Sequence, residues 1–484
     1  MDKKKVLLVI LGIIWLIGII LRIKTFLTGR PLWHDECSVA LSLLDRNMFD
    51  FLRPLEHYQC APPIFMSLSK LLTYIFGLHE NVLRIIPLFA GILSLPAFYF
   101  LSKDFLKSKW LILIVNFLFA VNYQLIYYSQ EFKQQYSSDV LISILTLYYL
   151  AKIDIVNLKT KQVIIFGILI SLLPLMAFPT AFIIFPYILM QIFKYKKSVI
   201  KKLLLFLIPS LITFTTYYIT VVAASHASQI DIGSYFWELG FIKLNPVSWL
   251  QVFKINFDYF FSPNNMLLFA LILFITGIVY TIKQKTNLSK LFLYTITLTV
   301  LASFFKFYPL IQRTSLYLVP VLLLILSLPL EYISKTKKLY SVLMILFFGV
   351  YFSGYSLKYY KQFNNPDIFI DEDAKTLMQT IKDNYKPDEI VAYNIASDSE
   401  YIFYTRYFNF KPKTDVKVNT LDNNKETYFS ILNQLPQGRT YWFYYPFEYA
   451  KNPVIGYLKE WSKDKNVLLE KEINNSYLLK LKIK

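Results

Sequence analysis

Charge is scarce in this chain. Of its 484 residues 17% are charged, 55% are hydrophobic and 18% aromatic, which leaves too little polar surface to clothe a soluble globule. Histidine and cysteine are scarcer still, at four and two. His34, His57, His79 and His226 lack the short fixed spacings of a metal-binding motif. They leave only a loose option, in which His34 or His226 joins an acid around a divalent ion. Cys37 and Cys60 allow one disulfide or two separate thiols, and spacing does not choose between them. No internal repeat or low-complexity tract is present. The long apolar segments are nearly free of charge, against the midplane ionisable residues and repeated halves expected of a transporter or lipid flippase.

Those apolar segments recur at lengths that cross about 30 Å of hydrocarbon, so the chain reads as a polytopic helical membrane protein. Its first segment follows Lys3-Lys4-Lys5 but leads into Thr28-Gly29-Arg30-Pro31, which offers no small-residue cleavage site. It reads as a retained anchor with a cytoplasmic N-terminus. Spans are expected near 6–27, 82–102, 110–128, 137–152, 162–177, 180–194, 203–223, 265–282, 290–305, 314–333 and 339–357. Clusters such as Lys103/Lys107/Lys109, Lys152/Lys159/Lys161 and Lys194/Lys196/Lys197 then fall in alternate short loops, which the positive-inside bias assigns to the cytoplasm. Eleven spans put the C-terminus outside the cytoplasm.

The same parity places most acids of the membrane part, among them Asp35, Glu36, Glu80, Glu131 and Asp258, on the outer side. The net charge of +19 needs no nucleic-acid partner: residues 358–484 hold 19 Lys+Arg against 17 Asp+Glu, so +17 belongs to the membrane part as topology signal. Residues 1–357 form the membrane domain. Its first outer loop, 28–81, is built of amphipathic pieces at 37–44 and 62–77 that lie on the bilayer, and a second large outer loop covers 224–264. Residues 358–484 read as a small extracytoplasmic α/β domain, with helices at 374–384 and 425–435, strands at 389–395 and 440–445, and a closing hairpin from 467–469 and 477–483. The acids of that domain read as a solvated face.

Three outer corners carry chemistry. Asp35-Glu36 follows the first span, Gln130-Glu131-Phe132-Lys133 ends the third, and Tyr308-Pro309 leads to Arg313 at the start of the tenth. Each alone is compatible with interface anchoring, since Lys and Arg snorkel at bilayer edges. Together they would set a general base beside a phosphate cradle.

These motifs resemble a known family. Asp35-Glu36, Pro62-Pro63, Leu83-Arg84-Ile85-Ile86-Pro87, Tyr127-Tyr128-Ser129-Gln130-Glu131 with Tyr136, and Tyr308-Pro309 with Arg313 and Pro320 resemble the bacterial relatives of dolichyl-phosphate-mannose protein mannosyltransferases. These are GT-C fold glycosyltransferases, a group that includes the aminoarabinose transferase acting on lipid A. The resemblance runs through 6–330. It implies transfer of a sugar from a polyprenyl-phosphate carrier to an acceptor hydroxyl on a cell-envelope glycan, lipid or protein, with inversion at the anomeric carbon. It assigns Asp35 as general base, Lys133 and Arg313 to the donor phosphate, Glu131 to orienting acceptor, sugar or metal, Glu36 to holding the site together, and Tyr136 and Gln130 to substrate contact. Relatives often carry a charged residue or His before the Pro-Pro pair where this chain has Cys60-Ala61, which makes His57 the substitute phosphate contact. A polymerase or ligase acting on a lipid-linked glycan shares the same topology.

Overall fold

The computed structural model describes residues 3–57, 59–133, 136–195, 199–222, 238–261, 267–333, 372–418, 424–447 and 453–483. The membrane part is a helical bundle graded from lipid-facing to enclosed. Helix α1 (Lys3–Phe26) is an unbroken apolar run at the rim, with Leu8, Val9, Ile13, Leu16 and Ile20 exposed for lipid. The segment Gln312–Tyr332 is the most enclosed of the candidate spans among the described residues, with 94% of its apolar window buried. Helices approach it closely where a side chain is missing: a Cβ on Gly277 would stand 2.2 Å from the Ile325 carbonyl, so only glycine fits that crossing.

Among the described residues seven helices are long and apolar enough to cross a membrane, or eight if one bent pair is a single span. The expected spans near 6–27, 82–102, 180–194, 203–223, 265–282, 290–305 and 314–333 coincide with them. Those near 137–152 and 162–177 are the shorter helices Tyr136–Leu150 and Thr160–Ser171, and 15 residues rise only about 22 Å. The span expected at 339–357 lies outside the described residues, as do His226 and much of the second outer loop.

The expected span at 110–128 is broken. Lys109–Ala120 and Tyr123–Gln130 meet at 52°. Asn122 starts the second piece by accepting from the Leu125 amide at 3.1 Å, while its own amide donates to the Phe260 carbonyl. Arg22, fully buried, donates from Nη1 to the Ala120 and Gly18 carbonyls and so closes the first piece.

The lysine-bearing loops share one end of the bundle. Lys152 pairs with Asp104 at 2.6 Å, Lys194 with Asp154 at 2.8 Å, and the Lys107 amide donates to Glu331. Loops 28–81 and the C-terminal domain share the other end. There α2 (His34–Asp45) and α3 (Pro63–Phe76) lie side by side. Lys70, whose charge argues against a span at 62–77, donates to the Leu43 carbonyl at 2.7 Å in the last turn of α2, where a cation suits the helix dipole. Cys37 and Cys60 are separate thiols.

The C-terminal domain is a five-stranded sheet ordered β2-β1-β3-β5-β4, from β1 (Ile390–Asn394), β2 (Asp415–Val418), β3 (Thr440–Tyr445), β4 (Asn466–Ile473) and β5 (Ser476–Lys482). The helices Ala374–Asn384 and Lys425–Asn433 and the closing hairpin stand where the periodicity puts them. The helix Asp398–Tyr407 and strand β2 escape that reading, because the helix is rich in aromatics of middling helix propensity and the strand spans only four residues. One sequence expectation fails here: the acids are not all a solvated face, since Glu400 is 0% and Glu389 3% exposed. The domain also packs on the first outer loop, and Leu377, Tyr404 and Trp442 share one apolar core with Leu32, Cys37 and Leu41.

Candidate active site

Asp35 and Glu36 open α2 rather than lying in a loop. Trp33 is extended and precedes the helix, so both carboxylates sit in its first turn, the end of a helix dipole that favours negative charge. Neighbouring side chains on a helix diverge by about 100°, and the two acids therefore go to different places.

Asp35 faces two cations. Its Oδ2 pairs with the Lys133 ammonium, and with Arg313 Nη1 at 3.5 Å. Lys133 lies 5.1 Å and Arg313 5.7 Å from the centroid of the Trp33 ring, a cation–π arrangement that keeps the two like charges close. Asp35 and Arg313 keep 17% and 18% of their side-chain surface open while Lys133 keeps 4%. Two cations gathered at one partly open face are what an anion such as a phosphate oxygen pairs with.

Each cation arrives on a constrained backbone. Gln312, just before Arg313, has φ +47°, a left-handed conformation that costs a non-glycine residue about 1 kcal/mol or more. Helix Pro246–Phe261 maintains it: Asn256 accepts from the Gln312 amide at 2.7 Å and donates to the Leu310 carbonyl at 2.8 Å. Lys133 follows Phe132, whose ring stacks on Phe65 of α3 and whose amide donates to Glu36 at 2.6 Å.

Glu36 points inward and is completely buried. It takes a fork from Arg84 at 3.0 and 2.6 Å and a further contact from Arg30 at 3.1 Å. Burial alone would raise its pKa, but Arg30, Arg84 and the Phe132 amide hold it below the usual carboxylate range. Glu131 stands at the edge of this network. Its Oε2 is 4.0 Å from Arg30, and its Oε1 is buried with no hydrogen-bond partner among the described residues. Burial, opposed by Arg30 and reinforced by Glu36, pushes Glu131 up to about 7. Two carboxylates with separated pKa values mark one fixed charge and one titrating group.

The other expected site residues scatter. Tyr136 is buried and packs edge-on against Tyr128, whose hydroxyl bonds that of Tyr259. Gln130 is buried, with its carbonyl accepting from Arg30 at 3.5 Å. His57 is half-buried at φ +54°, in the stretch that leads to the Pro62-Pro63 pair. His34 turns toward the C-terminal domain, 2.9 Å from Glu400. Among the described residues no group of three His, Cys, Asp or Glu converges to hold a metal ion.

Comparison with solved structures bears on the fold that carries these residues. ArnT from Cupriavidus metallidurans superimposes in its apo state with TM-score 0.54, covering 97% of this chain and 98% of that one. In its undecaprenyl-phosphate-bound state the score is 0.56, over 99% and 98%. Identity is 10% in both. The chain has a GT-C fold. An Archaeoglobus fulgidus oligosaccharyltransferase in complex with zinc and sulfate, 13% identical, covers 97% of this chain and 72% of its own at TM-score 0.47, too low to add to that assignment. A scan against family models and a search of curated proteins each find no match.

Within the GT-C frame several site residues escaped the sequence. Arg84 was visible only as part of a motif, and Arg30 only as a poor cleavage site. Glu372 and Glu400 gave no signal, being more than 330 positions from the helix they contact.

Proposed function

We propose that the chain is a membrane glycosyltransferase that moves a sugar from a polyprenyl-phosphate carrier to an acceptor hydroxyl at the end of the bundle where Asp35 lies. The observation that carries this reading is Asp35 held between Lys133 and Arg313 on a GT-C scaffold. A donor phosphate competes with Asp35 for the same two cations. Once it takes them, Asp35 accepts the proton of the acceptor hydroxyl as the acceptor oxygen bonds to the anomeric carbon. The bond from that carbon to the phosphate oxygen breaks, and the polyprenyl phosphate leaves with its charge balanced by Lys133 and Arg313. Direct attack inverts the anomeric centre. A covalent intermediate would need a second carboxylate beside Asp35, and Glu36 is locked by Arg30 and Arg84. Glu131 orients the acceptor or the sugar, and Glu36 holds the Phe132–Lys133 turn in place. The lysine-rich end faces the cytoplasm, so the reaction runs outside it.

Asp35→Asn tests the reading, since the amide keeps the shape and cannot accept the proton. Transfer should fall by about 10²–10⁴-fold in a protein that is produced and folded normally. Lipid-linked sugars extracted from a deletion strain should accumulate equally whether it carries the empty vector or the variant, and normal turnover by the variant would end the proposed mechanism.

A further inference from the structure

The helix that carries Asp35 is built partly by another domain. An α-helix leaves its first amides without intrahelical partners, and a capping residue just before it ordinarily satisfies one of them. Here that position is Trp33, which makes no side-chain cap. The missing acceptor comes from 338 positions away: the His34 amide donates to Glu372 Oε2 at 3.0 Å. On the same turn the His34 ring nitrogen Nδ1 lies 2.9 Å from Glu400 Oε2. Ser38 donates to Ser399 at 2.8 Å, and the Leu32 amide donates to the Tyr404 hydroxyl at 2.7 Å. Four polar contacts thus fix both sides of one helical turn, and the turn holds the proposed base between its two cations.

Such contacts exceed what attachment requires. The shared apolar core already joins the domain to the first outer loop, and burying Glu400 at 0% exposure is costly unless the charge is compensated. The compensation is His34, next to Asp35. Burial lowers the His34 pKa and Lys133 works in the same direction, but Glu400 and Glu372 outweigh both and leave it raised. The Phe447 ring packs against the imidazole from the sheet side.

We propose that the C-terminal domain is part of the reaction centre, with Glu372 and Glu400 as positioning residues that set the first turn of α2 and hold Asp35 in register with Lys133 and Arg313. This rests on the glycosyltransferase reading for its consequence but not for its geometry. Displacing a reacting group by about 1 Å costs on the order of 10²-fold in rate, so the loss should appear in turnover rather than in donor binding.

The test uses the full-length protein in detergent or nanodiscs. In Glu372→Ala/Glu400→Ala, hydrogen exchange of the peptide covering 32–41 should accelerate at least tenfold while peptides from 374–384 and 440–445 keep wild-type protection. Undecaprenyl phosphate, as the probe, should bind within about twofold of wild type, and consumption of lipid-linked sugar by membranes should fall at least tenfold. Glu400→Gln, which keeps an acceptor oxygen for His34, should recover most of that turnover. Wild-type exchange at 32–41, acceleration throughout the C-terminal domain, or local acceleration with unchanged turnover each overturns the proposal. Failure of the glycosyltransferase reading is separately visible, because an active Asp35→Asn protein would refute that reading and leave the exchange result standing.

Discussion

At the lysine-rich end of the bundle the ion pairs lie in water: Lys152 and Lys194 are 46% and 47% exposed beside Asp104 and Asp154. At the opposite end Glu36 and Arg84 are 0% and 1% exposed and Arg30 is 3%. Exposed pairs contribute roughly 0–1 kcal/mol, so the first set is dispensable to the fold. Removing one member of a buried set strands the rest without water, at about 3–5 kcal/mol. The same residue types thus add little to stability at one end and form a buried, mutually dependent network at the other, and burial makes the difference.

The sharpest break of that contrast is the loss of Asp35, whose substitution should affect chemistry alone. Next is the scaffold. Glu36→Gln should destabilise the protein by about 3–5 kcal/mol, read as a large drop in thermal midpoint in detergent, because Arg30 and Arg84 lose the negative charge between them and one of its two acceptor oxygens. Its depressed pKa adds a sign: the stabilisation is complete above the ordinary carboxylate range and fades as pH falls through the lower folded-state value. A Glu36→Gln protein as stable as wild type would show the buried network to be ornamental.

A smaller effect belongs to the cations. Arg313→Lys keeps a charge but loses the planar fork, and undecaprenyl phosphate should bind roughly tenfold more weakly, with a further loss when Lys133→Ala is added. Wild-type affinity in the double variant would return both residues to the role of interface anchors. Smaller again is the response to pH. Glu131 is pushed up to about 7, so raising pH through that value adds a negative charge beside Arg30 and within the field of Arg313. Undecaprenyl phosphate binding should weaken severalfold there in the wild type, and the slope should flatten in Glu131→Gln; parallel curves would mean that Glu131 does not titrate near the phosphate. At the bottom of the scale, Lys152→Ala should shift the thermal midpoint negligibly, and a shift comparable to that of Glu36→Gln would erase the contrast between the two ends.

The helical class, the spans from 85 to 105 and from 312 to 332, the loop parity and the three acid or cation corners were legible because each rests on local composition. A run of apolar residues must become a helix in lipid, where no water can satisfy the backbone, and lysine loops sort by charge alone. The break at Asn122 was not legible, because in an apolar stretch a single Asn favours either a cap or a buried polar contact, and the Phe260 carbonyl that receives it lies 138 positions away. Nor was the inward turn of Glu36, since Asp35-Glu36 reads as one acidic pair until the helix phase is known.

The sequence by itself determined that this is a multi-span helical membrane protein with a small α/β domain at its C-terminal end. Hydropathy, charge asymmetry and the order of a few motifs are properties of the chain alone. Tertiary structure decided which of two adjacent acids meets Lys133 and Arg313, which one is locked by Arg84, and that Glu372 caps the helix beginning at His34. Those outcomes depend on helix phase and on contacts across hundreds of residues, and a one-dimensional pattern holds neither.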